Sequence, residues 1–103
     1  MAEWDLAQIH TSDELAQLHF FSMIKKTDRG DVEFRITVHE YATRSENRSM
    51  KFFARADRQT NQNTAPFTPI GWGGTLLKAL SECVSAIHRF PYEGRMPEEA
   101  GPA

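Results

Sequence analysis

Between Val32 and Tyr41 the chain alternates as a half-buried strand does. Val32, Phe34, Ile36 and Val38 point to one side, and Glu33, Arg35, Thr37 and His39 to the other. A period of two commits this segment to a sheet, and the sheet then has an apolar face that a second layer must cover. The covering layer is also readable. From about Thr75 to Arg89, Leu76, Leu80, Cys83, Val84 and Ile87 recur at helical spacing, opposed by Lys78, Ser81, Glu82, Ser85 and Arg89. Thr75 suits the N-cap, His88 and Arg89 suit the negative end of the helix dipole, and Pro91 stops the helix.

Two more strands flank the first. In Leu18–Lys25, Leu18, Phe20 and Ile24 share a side, and Thr27–Asp31 has the composition of a hairpin loop. From about Met50 to Arg58, Met50, Phe52, Ala54 and Ala56 alternate with Lys51, Phe53, Arg55 and Asp57. The polar link from Ala42 to Ser49 is of hairpin length. The expected fold is α+β: a two-layer β-β-β-α domain, a three-stranded antiparallel meander with one long C-terminal helix packed on one face. Ala54 and Ala56 leave room for that helix to approach.

A chain of 103 residues holds one such domain, expected over residues 1–93. Within it, residues 1–17 form an N-terminal segment. Thr11 and Glu14 have the capping-box spacing, so a short helix is expected over Ser12–Gln17; the rival is a strand near Trp4–Ile9, with Leu15 already starting the first long strand. Residues 59–74 read as a long polar loop with two prolines. Residues 94–103 read as a flexible tail.

Composition narrows the function. Acidic residues outnumber basic ones 14 to 12, which excludes nucleic-acid binding by bulk positive charge. The charge is uneven, however: residues 15–60, the sheet region, carry nine bases against six acids. No apolar run approaches the roughly 20 residues of a membrane helix, and the first residues lack a basic-then-apolar signal segment. With a single cysteine, Cys83, and hence no disulfide framework, a cytoplasmic protein is expected.

Catalytic signatures are poor. His10, His19, His39 and His88 show no metal-ligand spacing. A His19/His39 pair across two strands could hold a metal or sense pH, although ordinary surface histidines are far commoner. Cys83 lies on the apolar side of the helix and reads as core. Gly71-Trp72-Gly73-Gly74 lacks the lysine and spacing of a phosphate loop and reads as a turn. The expectation is a non-enzymatic protein without metal or cofactor.

The sheet face opposite the helix is the candidate site. A register that groups apolar residues sets Lys25 opposite Glu33, His19 opposite His39, Arg35 opposite Asp57 and His39 opposite Phe53. The open face then presents Phe21, Met23, Lys25, Arg35, His39, Tyr41, Lys51, Phe53 and Arg55. Phe21, Met23, Tyr41 and Phe53 are too many large apolar groups for an idle solvent face. One reading is a homodimer interface, or a face covered by the N-terminal segment with Trp4 and Leu6. The alternative is a platform for single-stranded nucleic acid. There Phe21, Tyr41 and Phe53 stack bases, Lys25, Arg35, Lys51, Arg55 and Arg58 meet phosphates, and the Gln59–Thr64 loop closes over the strand.

The order of three strands and a helix is similar in layout to double-stranded-RNA-binding domains, HicB-type antitoxin domains and strand-meander single-strand binders. The first of these has a Lys-rich start to its last helix, where Thr75-Leu76-Leu77-Lys78 has one lysine. Layout alone implies no function.

Overall fold

A computed structural model describes residues 3–42 and 50–96. The chain runs from a 3-10 turn at Glu3–Ala7 into β1 (Ala16–Thr27), β2 (Gly30–Tyr41), β3 (Phe52–Ala56), β4 (Ile70–Gly73) and α1 (Leu76–Arg89). The strands form one antiparallel meander in chain order, and α1 packs across one face. The α+β class and the C-terminal helix agree with the sequence; the sheet has four strands rather than three. The added strand lies inside the segment expected to be loop. Ile70-Gly71-Trp72-Gly73 pairs with β3, with Phe52 opposite Gly73 and Phe53 opposite Trp72.

The core forms where β2 alternates. Val32, Phe34, Ile36 and Val38 are buried with Ala54, Ala56, Ala79, Cys83 and Ile87. Leu80, Val84 and Phe52 pack against them, and the Tyr92 ring meets Phe34 edge-on at 5.9 Å. Each large aliphatic side chain fully buried here contributes roughly 1.5–3 kcal/mol. Thr75 caps α1, its hydroxyl accepting from the Lys78 amide at 3.1 Å. Glycines let the helix lie close on β4. A Cβ on Gly71 would collide with the Ala79 carbonyl, and one on Gly73 would lie 2.6 Å from Lys78 Cβ.

The register of β2 with β3 is the expected one, with His39 opposite Phe53. Beyond the strand end, Asp57 N donates to Arg35 O at 2.9 Å. The register of β1 with β2 is shifted by one residue. Lys25 faces Val32 rather than Glu33, and His19 faces Val38 rather than His39. The turn decides it. Only Asp28 and Arg29 separate the paired residues Thr27 and Gly30, and Gly30 has φ 130°, a conformation open to glycine. The Thr27 hydroxyl closes the turn, donating to Gly30 O at 2.6 Å and accepting from Arg29 N at 3.2 Å. A one-residue slip exchanges the two faces of a strand. Leu18, Phe20 and Ile24 therefore move to the open face, and His19, Phe21, Met23 and Lys25 move to the helix side.

Four other expectations change. Ser12–Gln17 is not a helix: Asp13 N bonds to His10 O in a turn, and β1 begins at Ala16. Nor is Trp4–Ile9 a strand, since Glu3–Ala7 coils into the 3-10 turn. The loop before β4 is ordered. Thr60 is fully buried and bridges to Phe67, and Asn61, at φ 56°, donates its amide to Pro91 O. Asn63 N and Gln62 Oε1 bond to Glu93, which holds this loop on the segment after α1 rather than over the open face. That segment packs as far as Met96, which is 2% exposed, so order extends past the expected start of the tail. The rest of the expected tail, residues 97–103, and most of the Ala42–Ser49 link, residues 43–49, lie outside the described residues.

Candidate interaction surface

α1 packs on one side of the sheet, and the strand parities fix which of the described residues stand on the other. β1 presents Leu18, Phe20, Ser22 and Ile24; β2 presents Glu33, Arg35, Thr37, His39 and Tyr41. β3 adds Phe53 and Arg55, and β4 adds Ile70 and Trp72. The apolar exposure is graded across the sheet. Phe20, Ile24 and Leu18 on β1 are 73%, 57% and 44% exposed, against 40% for Trp72 and 39% for Ile70 on β4.

An aromatic row crosses from β2 to β4. His39 stacks on Tyr41 at 5.9 Å and leans on Phe53 at 5.8 Å, and Phe53 lies 4.4 Å from Trp72. These are cross-strand and same-face neighbours, the contacts that most stabilise a sheet. His39 Nδ1 is buried in the row and has no hydrogen-bond partner among the described residues. Beside the row lies an open groove of about 600 Å³, lined by Phe20, Arg35, Thr37, His39, Arg55 and Asp57.

Charge on this face is balanced. Arg35 lies 3.7 Å from Glu33, and its backbone N–H donates to Asp57 Oδ1 at 3.0 Å. The Ser22 hydroxyl donates to Glu33 at 2.6 Å and, with Arg35 and Arg58 nearby, holds that carboxyl below its ordinary range. The Arg58 side chain is spent on a backbone carbonyl, that of Glu33, at 2.9 Å.

Of the residues expected on this face, Arg35, His39, Tyr41, Phe53 and Arg55 are there. Phe21, Met23, Lys25 and Lys51 are not. Phe21 and Met23 lie on the helix side, Met23 against the core margin and Phe21 37% exposed. Lys25 Nζ donates to the carbonyls of Ile87 and Phe90 at 2.8 and 2.7 Å, closing the end of α1, and burial lowers its pKa. Lys51 turns its ammonium to Glu40, 3.7 Å away, and over the Phe52 ring. His19 joins the same carboxylate at 2.9 Å, on the opposite side of the sheet from His39, so the two histidines do not form a pair.

Sequence reasoning missed Leu18, Phe20, Ile24, Ile70 and Trp72. Gly30 at the end of the turn was the signal for the first three, and the small–large alternation of Gly71-Trp72-Gly73 for the other two. Among the described residues no group of three or more histidine, cysteine or acidic side chains is placed to hold a metal. Cys83 is buried, with its Sγ 3.5 Å from Pro69 O, and burial pushes the thiol pKa up to about 11. No helix of the described residues is long and apolar enough to cross a membrane. Compared with known proteins, the chain matches no family model, and no curated protein or solved structure is significantly similar to it.

Proposed function

We propose that this protein is a small non-enzymatic interaction module that self-associates through the uncovered side of its sheet. One observation carries the reading: Phe20, Ile24 and Leu18 stand in a row on that side with 73%, 57% and 44% of their surface open. Covering such side chains is worth up to roughly 1.5–3 kcal/mol each, and a domain this small gains much by pairing. The single-stranded nucleic-acid alternative is weakened by where the cations lie. Lys25 and Lys51, two of the expected phosphate contacts, are engaged on the helix side. Arg35 and Arg55 remain, beside Glu33 and Asp57.

Sedimentation velocity from low micromolar to about 200 µM protein, at low and moderate salt, tests the reading; an apolar interface tightens or holds as salt rises, whereas phosphate contacts weaken steeply. A dimer that persists across both salts and dissociates in Phe20→Asp is the expected result. A monomer throughout defeats self-association. If that monomer also binds a single-stranded oligonucleotide at low salt, the nucleic-acid alternative takes its place.

A further inference from the structure

Resting on the self-association reading, we infer that the second copy joins at the β1 margin of that side rather than over its middle: β1 pairs antiparallel with β1 of its partner to make a continuous eight-stranded sheet, in which the open-face side chains of the two β1 strands cover one another. The backbone supplies the first reason. Ala42 N donates to Leu15 O at 2.8 Å, just ahead of β1, and by alternation from that pair the odd residues of β1 aim their amide and carbonyl groups at β2. Those of Ala16, Leu18, Phe20, Ser22, Ile24 and Lys26 therefore aim outward. Among the described residues no strand pairs with that side. The usual protections of an edge are missing: β1 is 12 residues long, contains no proline, and carries its lysines only at one end.

Identical strands pair antiparallel about a twofold axis, and full overlap of Ala16–Lys26 puts that axis at Phe21. In this register Leu18 meets Ile24 of the partner subunit on the open face. On the helix side Phe21, itself 37% exposed, meets its own copy. Face-to-face packing fits less well. It would bury the middle of the open face, where Arg35 and Arg55 stand, against the same residues of the other copy.

Two variants separate the geometries. Ser22→Pro removes an outward N–H that β2 does not use and leaves Leu18, Phe20 and Ile24 in place. It is expected to keep the fold by circular dichroism and to weaken association at least about 100-fold by sedimentation. Phe21→Cys places two thiols across a non-hydrogen-bonded pair with Cα atoms about 4.5 Å apart, within disulfide reach. It is expected to cross-link under mild oxidant, whereas Met23→Cys and the parent, whose Cys83 is buried, are not. A folded Ser22→Pro that stays dimeric overturns edge pairing while leaving self-association standing. So does a dimeric Phe21→Cys that does not cross-link, which decides the matter if Ser22→Pro fails to fold. A monomeric parent overturns both.

Discussion

β4 and β1 are both edge strands, yet they meet their surroundings in opposite ways. β4 is four residues long, and its helix-facing positions are the glycines 71 and 73, on which α1 lies so closely that no Cβ would fit. β1 is three times as long; Lys25 bonds to the end of α1, and Met23 packs against the core. A helix can protect an edge if that edge is short and small in side chain. A long edge with large apolar side chains on both faces has to find its cover elsewhere. The same contrast separates the faces of β2: Phe34 is wholly buried, and Arg35 next to it is exposed.

The largest effect expected is on that contrast of faces. Phe34→Ala should cost about 3–5 kcal/mol in chemical denaturation, because it empties the centre of the core. Phe20→Ala should leave monomer stability within about 1 kcal/mol, its loss appearing in association instead. Equal costs at the two positions would mean that the open face is covered within the monomer. Next comes the contrast of glycines. Gly71→Ala forces α1 off the sheet and should cost roughly 1–3 kcal/mol or more, whereas Gly74→Ala, with nothing within 4 Å of its Cβ, should be close to neutral. A tolerated Gly71→Ala would show that β4 does not need α1 so close.

The smallest effect is electrostatic. With its folded pKa held below the ordinary 4.5, Glu33 adds stability that is present above that value and lost as pH falls through the lowered one. Ser22→Ala removes the chief cause, so the Glu33 carboxyl should titrate closer to 4.5 by NMR. An unmoved titration would assign the shift to the arginines.

How far the fold could be read follows from how many constraints each segment carries. β2 and α1 each have one apolar and one polar side, so pattern alone placed them. β1 has Leu18, Phe20 and Ile24 on one side and Phe21 and Met23 on the other, so hydrophobicity could not choose its facing. A two-residue turn chose it, and four of the nine expected surface residues changed place as a result of that turn or of Lys51 turning to Glu40. β4 hid because glycine reads as a breaker unless the close approach of the helix that follows it is known. Thr11 and Glu14 had the form of a cap, but the pairing of Leu15 with Ala42 draws the chain into β1 before a helix can start. The order of the Thr60–Phe67 loop rests on bonds to Pro91 and Glu93, which no local pattern contains.

The bonds from Lys25 to the last carbonyls of α1 bear on how the molecule comes to fold. They join residues 62 and 65 positions apart, and the partner is the final element in chain order. The β1–β2 hairpin can form within about 1–10 µs, but an isolated hairpin is marginal in water. At a synthesis rate of about 5–20 residues per second, its Val32–Val38 face waits several seconds for the helix that covers it. During that interval both faces and the free edge are open together, and misassembly competes with folding. Docking of the last turn on Lys25 ends the interval, and a contact made this late acts on the way out: weakening it should speed unfolding and leave the folding rate nearly unchanged.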